Sequence, residues 1–160
     1  MSAESVKAWL AAHAPDVRLI EAHGSTATVL DAADTLGVEP ARIAKTLTVR
    51  AGPLTFLLVT RGDARLSNVK CKAELGARPR MLGPEETLEL TGHPVGGVCP
   101  FGLATALPVC VDASLKRFAT VFPAAGSRNS SVEISPERLF DLVGDRWVDL
   151  CTLPEEPAGA

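Results

Sequence analysis

The run Lys45-Thr46-Leu47-Thr48-Val49-Arg50, the turn Ala51-Gly52-Pro53 and the run Leu54-Thr55-Phe56-Leu57-Leu58-Val59-Thr60 decide the fold. In Lys45–Arg50 polar and apolar positions alternate around Leu47 and Val49, the period of a strand with one covered face. Leu54–Thr60 is almost continuously apolar, as in a central strand covered on both faces. The Gly-Pro turn between them makes the pair a hairpin. A sheet with helices packed on it follows.

Working outward, the N-terminal side predicts a helix capped by Ser2 through about His13, with Trp9 and Leu10 facing inward. Val17–Ala22 reads as a short strand and residues 24–29 as a polar loop. Asp31 is expected to cap a helix over Ala32–Leu36, closed by Gly37, and Pro40 to open a turn through Ile43. On the C-terminal side Ser67 caps Val69–Leu75, and Gly83-Pro84-Glu85-Glu86 opens a helix ending near Gly92. A Gly- and Pro-rich loop spans Val95–Gly102. Pro108–Asp112, Ala119–Pro123 and Ser131–Ile134 read as strands, and Ser135-Pro136 opens a last helix with Leu139, Phe140 and Val143 on one face. Hairpin and crossover links are mixed, so the fold class is α+β (mixed α/β): one domain over residues 1–153, a mixed sheet flanked by helices, with residues 154–160 expected to fray.

Composition limits the function. The 160 residues are 46% hydrophobic and 22% charged, the balance of a globular domain rather than a disordered chain. A net charge of -3 excludes a uniformly basic nucleic-acid coat, and 4% aromatics with no Tyr excludes a base-stacking platform. No apolar run has the length of a membrane span, and Met1–Leu10 lacks a signal-peptide core, so a cytoplasmic protein with no membrane partner is expected. Cys71, Cys99, Cys110 and Cys151 with His13, His23 and His93 form no zinc spacing, so no metal or other cofactor is expected. Charge is uneven along the chain. Residues 61–80 carry Arg61, Arg65, Lys70, Lys72, Arg78 and Arg80 against two acids, a net of +4, while residues 133–160 carry a net of -5. The basic stretch is either a solvated helix face or a phosphate contact.

Lys45 begins the apolar register of its strand, where an unpaired charge is costly. It either snorkels to solvent or serves a pocket, attracting phosphate or polarising a carbonyl. The loop Val95-Gly96-Gly97-Val98-Cys99-Pro100-Phe101-Gly102 is either a tight structural turn or a nest of backbone N–H groups for an oxyanion. Cys99 with His93 is the one candidate for a thiol nucleophile. Ser25, Ser127, Ser130 and Ser131 have no GxSxG context, and no phosphate-binding Gly loop is present.

Lys45 and the Gly-Gly loop, taken together, carry a resemblance. The chain resembles the YbaK/prolyl-tRNA-synthetase-associated domain family, the free-standing trans-editing aminoacyl-tRNA deacylases. The matching stretches are Ala32–Val38, Ile43-Ala44-Lys45-Thr46-Leu47, Arg61-Gly62-Asp63-Ala64-Arg65-Leu66, and Thr91-Gly92 leading into Val95–Gly102. Val111-Asp112 and Ala125-Gly126 before Val132-Glu133-Ile134 follow, so the ordered set covers roughly residues 17–150. The resemblance implies a mixed, partly closed sheet and an enzyme that hydrolyses the ester of a mischarged tRNA, chiefly proline tRNA carrying a small amino acid such as cysteine or alanine. It places the family's essential lysine at Lys45 and its GxxxP loop at Gly96–Pro100. By the same analogy Gly96 and Gly97 hold the carbonyl, and Thr28, Thr46, Val98, Cys99, Pro100, Ala124 and Gly126 contact substrate. Arg61, Arg65, Lys70, Lys72, Arg78 and Arg80 become candidates for the acceptor stem. The partners implied are tRNA and prolyl-tRNA synthetase. A non-catalytic tRNA- or synthetase-binding module of the same fold, and a Cys99 thiol hydrolase, are the alternatives. The chain departs from two subgroups: Ala124-Ala125-Gly126 stands where cysteine-clearing members have Ser-Gly-Gly, and Thr46 where alanine-specific members have asparagine.

Overall fold

The computed structural model describes residues 2–155. Among the described residues five α-helices are formed, α1 (Ser2–His13), α2 (Val29–Leu36), α3 (Asn68–Leu75), α4 (Pro84–Thr91) and α5 (Pro136–Val143), with short 3-10 turns at Pro40–Arg42 and Ala113–Arg117. The strands are β1 (Leu19–Glu21), β2 (Ile43–Ala51), β3 (Leu54–Arg61), β4 (Arg65–Leu66), β5 (Pro79–Met81), β6 (Val109–Asp112), β7 (Phe122–Pro123), β8 (Ser130–Val132), β9 (Arg146–Val148) and β10 (Cys151–Thr152). Among the described residues no helix is long and apolar enough to cross a membrane.

The hairpin read from the sequence is the centre of the main sheet. β2 and β3 pair antiparallel from Ala44 opposite Arg61 to Ala51 opposite Leu54. The sheet runs β5-β2-β3-β6-β9, with β7 also beside β2. β6 lies parallel to β3 and β9 parallel to β6, so the sheet is mixed, as expected. β1 pairs with β8 and β4 with β10 in two small antiparallel ribbons.

The alternation of β2 sorts its side chains onto two cores. Val49, with Phe56 and Leu58 from β3, packs with Ala64, Cys71, Cys110 and Leu150. Ala44, with Leu57 and Val59, packs against Val6 and Leu10 of α1, Phe101, Val111 and Leu139 of α5. β3 has a buried residue at every position from Phe56 to Arg61, which explains its unbroken apolar run.

Several boundaries differ from the sequence reading. Helix α2 begins three residues early, because Thr28 and not Asp31 is its N-cap, the Thr28 hydroxyl accepting from the Asp31 N–H. Gly37 closes it in the left-handed region at φ 70°. β4, β5, β9 and β10 were not expected; each is two or three residues long and is fixed by its partner strand. Of the expected frayed tail, Pro154 and Glu155 are described, and Glu155 pairs with Arg61 at 3.2 Å; residues 156–160 lie outside the described residues.

Candidate functional site

β2 is flanked on one edge by β7 at Ile43 and Ala44 and by β5 at Val49–Ala51. Between them, residues 45–47 have no strand neighbour on that edge. A cavity of about 230 Å³ sits at this gap, lined by Thr28 and Val29 at the start of α2, by Lys45, Thr46 and Thr48 of β2, and by Gly96, Val98 and Ala124. That volume is below the range of sites for drug-sized ligands and suits a small group. Thr26, Met81, Thr87 and Ser131 also line it; of these only Ser131 was singled out in the sequence, as a serine without a nucleophile motif.

The Gly-rich loop alternates. Gly96, at φ 95°, and Val98 line the cavity. Gly97 turns the other way and donates its N–H to Pro94 O at 2.9 Å, while its own carbonyl accepts from Gly126 N–H at 3.0 Å. A β-carbon on Gly97 would stand 2.6 Å from Ser127 N, so only glycine fits between the two loops. Cys99 is fully buried in the core, and Pro100 is buried outside the cavity wall. The expectation that Gly97 offers its N–H to a carbonyl is therefore corrected, as is that of direct substrate contact by Cys99, Pro100 and Gly126. These residues found the loop, whereas Gly96 and Val98 face the site. The N–H groups of Gly96 and Val98 donate to no other described residue.

Cys99 does lie beside His93, with Sγ 3.6 Å from Nε2. The pair is nevertheless inert. Both are wholly buried, and His93 Nε2 bonds Phe101 O at 2.7 Å. Burial pushes the Cys99 thiol up to about 12 and the His93 imidazole down, so the resting state is a neutral thiol beside a neutral ring. A thiolate nucleophile requires the opposite shifts. The thiol-hydrolase alternative falls on this geometry.

Lys45 stands opposite Thr60 in the β2–β3 register, on the face carrying Leu47 and Val49. It forms part of the cavity wall, and its ammonium donates to Ala64 O at 2.5 Å. Burial lowers its pKa below the ordinary lysine value, while Asp63 works in the other direction. On the opposite face, the hydroxyls of Thr26, Thr46 and Thr48 are sealed from solvent and have no hydrogen-bond partner among the described residues. Thr28 Oγ is already engaged as the α2 cap.

The basic stretch divides. Arg61 is buried and grips Asp63 through two bonds, Nε to Oδ1 at 2.9 Å and an Nη to Oδ2 at 2.8 Å, and it also bonds Glu155. Its guanidinium is spent on the protein, which corrects its assignment to tRNA. Lys70 is half-buried, holding Asp149 at 3.1 Å and Cys151 O at 2.7 Å, so its ammonium is turned to the protein rather than to solvent. Arg65, Lys72, Arg78 and Arg80 are exposed, with no acidic partner among the described residues. Among those residues no group of three or more His, Cys, Asp or Glu side chains could hold a metal ion.

Comparison with known proteins agrees with this geometry. The family model of the aminoacyl-tRNA editing domain matches residues 23–142. The uncharacterised protein YwhH of Bacillus subtilis (strain 168) is 46% identical over 153 residues, covering 94% of this chain and 98% of that protein. The proline–tRNA ligase of Thermotoga sp. (strain RQ2) is 30% identical over 129 residues, which is 80% of this chain but 22% of that enzyme. A solved structure described as that of a candidate trans-editing enzyme for prolyl tRNA synthetase superimposes with a TM-score of 0.86 at 32% identity, covering 94% of this chain and 97% of the other.

Proposed function

The chain belongs to the aminoacyl-tRNA editing domain family, and from that premise we propose that it is a trans-editing hydrolase acting on proline tRNA mischarged with a small amino acid. The observation that carries this reading is the cavity itself: Lys45, the Gly96–Val98 segment and the open edge of β2 meet around a space sized for a small aminoacyl group. The likeness to a proline–tRNA ligase and to a candidate trans-editing enzyme supports proline tRNA as the carrier.

The reaction needs little from side chains. An aminoacyl ester is already activated. Water, oriented by the free hydroxyl of the terminal ribose, attacks the carbonyl carbon. The bond to the ribose oxygen then breaks, the ribose hydroxyl takes a proton, and the amino acid leaves as its carboxylate. The N–H groups of Gly96 and Val98 stabilise charge on the carbonyl oxygen. Lys45 leaves Ala64 by rotation about its flexible stem and places its positive charge at the terminal nucleotide. Prolyl-tRNA synthetase makes the substrate, because a pocket shaped for proline does not fully exclude smaller residues. Arg65, Lys72, Arg78 and Arg80 steer the acceptor stem.

A panel of proline tRNAs charged with alanine, cysteine, serine and proline tests the proposal. At least one small non-cognate ester is hydrolysed well above the buffer rate, and the prolyl ester is spared. If no ester is lost faster than in buffer, the chain is a binding module and the enzymatic reading is wrong.

A further inference from the structure

We infer that Arg128 holds the last phosphodiester of the RNA strand entering the cavity, an inference that rests on the editing reading above. Arg128 lies outside the basic stretch and outside every motif of the sequence reading. Its side-chain stem packs against the cavity loop: its Cγ lies 3.2 Å from where a β-carbon on Gly96 would stand, and Ala27 Cβ lies 3.1 Å from that same point. Gly96 and Ala27 both line the cavity. The arginine therefore stands at the rim of the site, against the residue whose N–H is assigned to the carbonyl.

The backbone beneath it is fixed. Arg128 O accepts from Thr26 N–H at 2.7 Å, and Asn129 O accepts from Ala22 N–H at 2.7 Å. The Ser127 hydroxyl bonds Asn129 Oδ1 at 2.9 Å and the Ser130 hydroxyl at 2.6 Å. Gly126 ties the start of the turn to Gly97. The side chain itself is exposed, with no hydrogen bond or acidic partner among the described residues. Other arginines are consumed: Arg42 by Glu133, Arg50 by Glu86, Arg138 by Asp16 and Arg146 by Glu74. An unspent guanidinium carried on a hydrogen-bonded turn beside a small cavity matches an oxyanion that cannot enter it. When the aminoacyl group fills the cavity, the terminal ribose is at the rim. The next charge along the strand is the phosphodiester on its 5′ side. The planar fork of arginine engages two phosphate oxygens at once.

The test uses an uncharged RNA microhelix ending in CCA, and the same RNA with a neutral methylphosphonate at the terminal linkage. Arg128→Ala weakens binding of the natural RNA by about tenfold or more, as expected for a lost charge-assisted contact. It lowers the slope of log affinity against log salt by about one. On the methylphosphonate RNA the same substitution costs nothing further, because the contact is already absent. Arg128→Lys recovers part of the loss. The side chain makes no hydrogen bond or ion pair among the described residues and packs only its stem on Gly96, so the unfolding midpoint moves little. Equal losses on both RNAs, or no loss on either, overturn the assignment. If the wild type binds RNA through Arg128 but hydrolyses no mischarged tRNA, the deacylase reading fails and this one stands. If it hydrolyses and Arg128 is silent in binding, the reverse holds. No RNA binding by the wild type overturns this assignment, and the ester panel alone then decides the deacylase reading.

Discussion

The Lys45 ammonium donates to the Ala64 carbonyl at 2.5 Å, joining the open edge of β2 to the turn that follows β3. That turn is itself held by the Arg61–Asp63 pair. The lysine is thus parked on the protein within the cavity wall rather than waving in solvent. Replacing it removes the charge at the site and leaves one carbonyl without its donor, a local cost of about 1–3 kcal/mol. Lys45→Ala is expected to stay folded and to lose hydrolysis by 100-fold or more, read from single-turnover release of amino acid from mischarged tRNA. Wild-type rates in that variant would remove Lys45 from the mechanism.

The charge state of Lys45 sets a pH dependence. Burial is the main cause of its lowered pKa. Folded, it releases its proton at a lower pH than in the unfolded chain. Activity that needs the ammonium is present below the folded pKa and falls as pH rises through it. That fall begins on the acid side of 10.5, the ordinary lysine value. Stability runs the other way, rising with pH between the folded pKa and 10.5, because the unfolded chain binds more protons there. A profile of kcat/KM, corrected for hydrolysis in buffer, shows an alkaline limb in the wild type. A profile flat up to the ordinary lysine range contradicts a working ammonium.

Arg61 and its neighbours in the basic stretch separate by assay. The Arg61 side chain is 4% exposed and that of Asp63 24%, so Arg61→Ala strands a partly buried carboxylate. A loss of about 2–3 kcal/mol follows, discounted from a fully buried pair for the solvent reaching Asp63. The urea midpoint falls, and the salt dependence of RNA binding does not change. Joint replacement of Arg65, Arg78 and Arg80 by alanine does the opposite: stability holds within about 0.5 kcal/mol, and the salt slope flattens.

The sequence made the β2–β3 hairpin legible because nine and eight residues give periodicity room to show. The two- and three-residue strands offer no period, and they exist because β2, β6 and β4 present edges to them. Thr28 and Asp31 are both good caps, and only the fold decides that Thr28 caps and Asp31 supplies the N–H. Lys45 and Gly96 were singled out from strand register and loop composition, Thr46, Val98 and Ala124 through the family resemblance, and all five line one cavity. The rest of the Gly96–Pro100 motif was overread as contact, because a motif does not state which of its residues face inward. Arg61 was overread from charge alone, since a sum over residues 61–80 does not show that Asp63 neutralises it. Arg128 was missed because it is a lone cation brought to Gly96 by the fold.

The buried His93–Cys99 pair predicts that neither sulfur nor imidazole chemistry contributes. Cys99→Ala is expected to retain full activity while losing about 1–2 kcal/mol for the small void it leaves. The native thiol, with its pKa near 12, resists iodoacetamide at pH 8 until the protein is unfolded. His93 is kept neutral by burial, so stability is fully present above its ordinary pKa of 6.5 and declines as pH falls from there toward the lowered folded value. Urea midpoints from pH 7 to pH 5 show that decline, and it shrinks in His93→Gln. Rapid labelling of native Cys99, or its loss abolishing turnover, would falsify this reading.

Thr48 offers a test of whether a stability cost in the cavity wall serves the proposed function. Its hydroxyl is buried without a partner in the wall of the cavity, as are those of Thr26 and Thr46. An unpaired buried hydroxyl costs about 1–3 kcal/mol, and a side chain of the same shape without it costs less. Thr48→Val is therefore expected to raise the unfolding midpoint by an amount worth about 1 kcal/mol. Under the proposed reaction this hydroxyl is assigned as an acceptor for the ammonium of the aminoacyl group. The same substitution then raises KM for the mischarged tRNA about tenfold, with a smaller effect on kcat, because the contact is made in the bound ground state as well as in the transition state. A more stable variant with unchanged KM would mean that the hydroxyls are only tolerated in the wall. A less stable one would mean that Thr48 has a partner in solution.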